Sequence, residues 1–97
     1  MTEDIFQKSN EDLVAHVEKL DRKALKELCD GTNLRNVFKL VGLLTDEYKA
    51  QVEEFLGKKK NKSAGVRSRN ITGSLETVFM VWRKKSIEAT KNVALLD

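Results

Sequence analysis

The chain contains no proline and only five glycines in 97 residues. Nothing in its covalent structure therefore interrupts a helix except those glycines and the polar residues that cap helix ends. Ser9, followed three residues later by Asp12, resembles a capping box, and Leu13, Val17 and Leu20 then recur at helical spacing. This predicts a helix over 10–20. Asp21 caps a second helix over 22–30 with Ala24, Leu25, Leu28 and Cys29 on its apolar side, and Asp30-Gly31 reads as a left-handed stop. From Asn33, the positions Leu34, Val37, Phe38, Val41 and Leu44 mark a third helix that ends near Gly42. Thr45 reads as the cap of a fourth helix over 46–57, with Asp46 and Glu47 in the first turn, where acids favour the helix dipole.

The segment from Lys58 to Gly73 has two glycines, three Ser/Thr, two asparagines and almost no apolar residues. It lacks the apolar area to offset its own ordering entropy and reads as a basic flexible loop. Structure resumes at Gly73 or Ser74, where Leu75, Val78, Phe79, Trp82, Ala89 and Val93 share one helical face, predicting a last helix over 74–92. The run TVFMVW is rich in β-branched and aromatic residues and also reads as a short strand at 77–82, although the length of the stripe favours helix. The expected fold is all-α in a single domain over 1–97: four short helices, the loop at 58–73 and a longer C-terminal helix. Its core is expected from Leu13, Val17, Leu20, Leu25, Leu28, Val37, Phe38, Val41, Val52, Phe55 and Leu56, with Tyr48 also buried.

Charge divides the chain as sharply as the caps do. Residues 1–56 hold 8 Lys/Arg against 12 Asp/Glu, a balance of −4, whereas residues 57–97 hold 10 against 3, a balance of +7. Lys58, Lys59, Lys60, Lys62, Arg67 and Arg69 fall within twelve residues, and Arg83, Lys84 and Lys85 form a second cluster after Trp82. Such a segment repels itself unless a polyanion or an acidic protein surface neutralises it. Lysines and arginines that neutralise phosphates and release counterions need no fixed structure before binding. These nine residues are the candidate nucleic-acid-binding set.

Catalysis has little to work with here. His16 is the only histidine, no motif pairs it with Ser or Cys, and Cys29 reads as a small core hydrophobe rather than a reactive thiol. Neighbouring acids such as Glu53-Glu54 point apart on a helix and no EF-hand loop is present, so no metal site is expected. Gly57, Gly65 and Gly73 are spaced by eight and match no phosphate-binding fingerprint. Neither an enzymatic role nor a cofactor is expected. The single cysteine excludes an internal disulfide and agrees with a reducing compartment, and the acidic N-terminus lacks the features of a secretory signal, so a cytoplasmic location is expected, without membrane association.

Two functions suit this pattern. The first is a small nucleic-acid-binding or transcription-regulating protein that contacts DNA or RNA phosphates through the basic loop. The second is an adaptor or inhibitor that docks a partner through its charge-segregated surface, an acidic protein surface being one such partner. Residues 24–44 also invite comparison with a helix-turn-helix carrying Arg35, Asn36 and Lys39 outward, but the turn lacks the usual spacing and acids surround it. Leu75, Phe79, Trp82, Ala89, Val93 and Leu96 are spaced as a helix–helix seam, which would allow a homodimer through residues 75–96.

Overall fold

The structure, a computed structural model, describes residues 2–57 and 61–92. It is all-α: a short 3-10 helix (Thr2–Gln7) precedes α1 (Asn10–Glu18), α2 (Arg22–Asp30), α3 (Leu34–Leu56) and α4 (Lys62–Lys91). No strand occurs among the described residues, and 77–82 lies inside α4. The polar caps act as their residue types require. Ser9 Oγ accepts from the Asp12 amide at 3.2 Å, Asp21 Oδ1 from that of Ala24 at 2.8 Å, and Asn33 Oδ1 from that of Asn36 at 2.9 Å.

One expected break is absent. The helices expected over 33–42 and 46–57 are one continuous α3, because Val37, Leu40, Val41, Leu44 and Tyr48 carry the apolar face straight past Gly42. Thr45 is not a cap. Its Oγ1 donates to the Val41 carbonyl at 2.7 Å, a bond made inside a helix. Gly31 does stop α2, but with φ −86° and ψ 0°, so the expected left-handed stop is replaced by a tight turn straight into Asn33.

The larger correction concerns the expected basic loop. Lys58, Lys59 and Lys60 lie outside the described residues, but 62–73 form the first twelve residues of α4. Asn61 opens that helix, its Oδ1 accepting from the Ala64 amide at 3.2 Å. From there Ala64, Ser68, Ile71, Leu75, Val78, Trp82, Lys85 and Ala89 alternate steps of four and three, the spacing of a helix–helix seam. The seam opens with small residues, Ala64, Gly65 and Ser68 all being buried before Ile71 follows. Small residues let a neighbouring backbone or ring come close, so ordering there does not depend on large apolar side chains. Ser68 Oγ donates to the Gly65 carbonyl at 2.7 Å, which removes the cost of burying its hydroxyl.

The dominant packing is an antiparallel hairpin of α3 and α4. Phe38 meets Trp82 with ring centroids 6.1 Å apart, and a Cβ added to Gly65 would lie 2.7 Å from Phe55. The two pairs are symmetric about the same midpoint, which fixes the register. The short helices cover only part of this hairpin: α1 packs on α3 and α2 on α4, giving an elongated molecule of 49 × 25 × 21 Å.

The core lies where all four α-helices meet. Leu13, Val17, Leu25, Leu28 and Val37 are buried as expected, joined by Phe6, Cys29, Leu40, Leu44, Ile71, Val78 and Val81. Leu20 and Val41 are partly buried against it, as are Tyr48 and Trp82. Val52 is only half-buried. Phe38, Phe55 and Leu56 do not belong to the core: they are 66%, 37% and 70% exposed. Phe38 lies on the uncovered side of the hairpin, and Phe55 and Leu56 lie near its turn, beyond the elements that would bury them. The stripe proposed for self-pairing is consumed within the chain, since Leu75 and Trp82 pack on the core and Ala89 is buried, while Phe79 remains partly exposed. Val93 and Leu96 lie outside the described residues.

Candidate nucleic-acid interface

The basic residues from Lys62 to Lys91 are held by a single 30-residue helix instead of a loop. Lys62, Arg69 and Arg83 occupy positions separated by multiples of seven, which at 3.6 residues per turn keeps them on one side of α4 with little drift. Lys62, Arg67, Arg69, Arg83 and Lys84 are all exposed. Glu76 shares the Lys62–Arg69–Arg83 spacing and makes an ion pair with Arg22 at 3.7 Å.

Lys85 stands apart from the other candidates. It is half-buried, and its Nζ donates to the Thr32 carbonyl at 2.7 Å, securing the turn between α2 and α3 against α4. A cation at the C-terminal end of α2 also opposes the partial negative charge of that helix end. Thr32 is itself buried, and its Oγ1 accepts from Asn36 Nδ2 at 2.8 Å. Cys29 is fully buried close by: burial first, then the neighbouring Asp30, push its thiol up to about 11, with Lys85 opposing. It is a core side chain with little thiolate character at neutral pH.

The helix-turn-helix comparison gains nothing from the geometry. Asn36 is turned to Thr32, and Lys39 Nζ donates to the Phe6 carbonyl at 3.2 Å, so neither is presented as a reading residue. Among the described residues no three His, Cys, Asp or Glu side chains group to hold a metal ion, and no helix is long and apolar enough to cross a membrane.

The tertiary structure adds cations that the linear charge pattern concealed. Arg22, Lys23 and Lys26 belong to the acidic half of the sequence, yet α2 lies along α4 and sets them beside its basic residues. Two grooves result. One of about 610 Å³ is lined by Arg22, Arg67, Arg69, Asn70 and Ser74, together with Glu18 and Asp21. The other, of about 470 Å³, runs between α2 and α4 past Arg22, Lys23, Lys26 and Lys84, over a floor that includes Met80 and Val81. The signal for the α2 residues in the sequence was their helical phase: with Leu25, Leu28 and Cys29 pointing inward, 22, 23 and 26 lie together on the exposed side. An acidic groove adjoins the first of these two grooves at Glu18: it runs between α1 and α3, lined by Glu11, Glu18, Asp46 and Glu47 and no lysine or arginine.

Comparison with known proteins bears on the same hairpin. No curated protein and no solved structure matches the chain. The model of the family described as histone H1-like protein Hc1 matches residues 36–92, which is nearly all of α3 and the whole of α4. That family is one of DNA-binding proteins without enzymatic activity. With more than half of its length matched, across the helical hairpin that carries the basic residues, the chain belongs to the histone H1-like Hc1 family and is a small nucleic-acid-binding protein.

Proposed function

We propose that the protein binds duplex DNA through the phosphate backbone, using the exposed cations of α4, with little preference for base sequence. The observation that carries this reading is the rigid presentation of Lys62, Arg69, Arg83 and Lys84 on one exposed side of a continuous helix. From Lys62 to Lys84 the helix rises by roughly 33 Å at 1.5 Å per residue, about one turn of B-form DNA. Lys58, Lys59 and Lys60 add three cations immediately before α4, and Arg67 is exposed one turn from its start. Lysines and arginines placed this way neutralise phosphates and release condensed counterions, giving tight but salt-sensitive association that positions a protein without reading bases. Lys85, held by Thr32, has a structural role in this scheme.

The test is a titration of unrelated duplex sequences at several salt concentrations with the parent and with Lys62→Gln/Arg69→Gln/Arg83→Gln/Lys84→Gln. The parent is expected to bind all duplexes with similar affinity. In the variant the slope of log K against log salt falls by up to about four, while the helical circular-dichroism signal persists. Unchanged binding by the variant at every salt concentration overturns the assignment to α4.

A further inference from the structure

We infer that α2 is the second wall of the DNA-binding face, and that Arg22, Lys23 and Lys26 contact the same phosphate backbone as α4. This rests on the reading of α4 as a phosphate-binding helix and extends it to an element outside residues 36–92, which the family model matches. Arg22 lines both grooves, so the cations form one uninterrupted strip: Arg67 and Arg69, then Arg22, then Lys23 and Lys26 facing Lys84. All six side chains are exposed. Along α4 the strip covers the rise from Arg67 to Lys84, roughly 25 Å, which is the axial span of about seven phosphates on one strand.

The carboxylates within the strip do not close it. Glu76 approaches Arg22 at 3.7 Å, but the two side chains are 69% and 74% exposed, and Lys26–Asp30 is an exposed contact at 4.0 Å. Surface pairs of this kind contribute little, so a phosphate displaces either carboxylate readily. Asp21 is already occupied as the cap of α2, accepting from the Ala24 amide at 2.8 Å. A Cβ at Gly73 would lie 3.2 Å from an Arg22 guanidinium nitrogen, so the arginine rests against α4 where that helix has no side chain. Glu18 lines the first groove and marks its border with the acidic α1–α3 groove of Glu11, Asp46 and Glu47, which the same polyanion repels. Attraction along the strip and repulsion at its acidic border restrict how the molecule can sit on a duplex.

The experiment compares, in the full chain, Arg22→Gln/Lys23→Gln/Lys26→Gln with Lys8→Gln/Lys19→Gln/Lys49→Gln, which removes the same charge from outside the strip. Binding to a random-sequence duplex is measured at several salt concentrations. The α2 variant is expected to weaken binding on the order of 10- to 100-fold at about 0.1 M salt and to lower the salt slope by up to about three, with a much smaller change in the control. In the other direction, Glu76→Gln/Asp30→Asn removes the competing carboxylates and is expected to tighten binding several-fold, an outcome that loss of folding cannot imitate. If both α2-face variants bind like the parent while the quadruple α4 variant is defective, this inference fails and the α4 reading stands. If the α4 variant also binds normally, or the parent binds no duplex even at low salt, both fail.

Discussion

The two ends of the α3–α4 hairpin are built on different terms. Where α1 and α2 cover it, the seam is made of large residues and is dry: Leu40, Leu44 and Val78 have no exposed surface. Towards the turn only two helices remain, and their seam is small, with Ala64, Gly65 and Ser68 buried beside a partly exposed Phe55 and a largely exposed Leu56. One end is held by apolar area removed from water, the other by the Phe55 ring lying against Gly65 and by continuity with the first. Helical structure at the turn end is therefore a consequence of packing elsewhere, since the area buried there is too small to order the segment by itself.

Removing apolar volume gives the largest expected contrast. Leu44→Ala should destabilise by about 2–5 kcal/mol, because it opens a cavity in the covered end. Leu56→Ala, at the turn end, should change stability by no more than about 0.5 kcal/mol. Chemical denaturation of both variants checks the difference, and similar losses would show that the ends are energetically alike.

Glycines sharpen the contrast through a change of sign. A Cβ at Gly42 meets nothing within 4 Å, so Gly42→Ala should stabilise α3 by about 0.5–1 kcal/mol. At Gly65 the same methyl would come within 2.7 Å of the Phe55 ring. The ring must leave its place, so Gly65→Ala should destabilise by about 1 kcal/mol despite the better helix propensity of alanine. In a Phe55→Ala background the obstacle is gone, and Gly65→Ala should become stabilising. Thermal melts of the four combinations form the cycle that tests this.

The smallest effect lies at the boundary between the two ends, where Glu18 comes near both Glu47 and Arg67. Burial raises its carboxyl above the ordinary range, Glu47 raises it further, and Arg67 opposes. A raised folded-state value means that the protonated form is favoured in the folded chain. Its contribution is complete below the ordinary glutamate range and is lost as pH rises through the folded value. Glu18→Gln should therefore be slightly more stable than the parent at neutral pH, by less than about 1 kcal/mol, and indistinguishable from it in acid. A gap that widens as the pH falls would reverse the assignment.

Much of the fold was legible residue by residue. Ser9 and Asp21 announce their helices because a cap is a local bond, made within three residues of the side chain that makes it, and Asn33 makes the same bond although only the apolar spacing after it was read. The continuity of α3 was not legible at Gly42 and Thr45: both have the local chemistry of a break, and only the apolar face running from Leu40 to Leu44 over a partner helix outweighs it. Phe38 and Phe55 illustrate the converse limit. Their spacing places them correctly along the helix, but burial depends on whether another element reaches them, and neither α1 nor α2 covers them.

The candidate site divides along the same line. By itself, the sequence determined that the chain is helical and that its second half is basic, since propensity, capping and charge are properties of the residues themselves. Tertiary structure alone decided that 62–73 would be the start of a helix and not a loop, because small residues order a chain only where a partner surface meets them. It also decided that Lys85 is held by Thr32, and that Arg22, Lys23 and Lys26 from the acidic half would line the groove beside Lys84. Charge along a chain is additive and can be counted, whereas the electrostatic face a partner meets depends on which helices lie side by side.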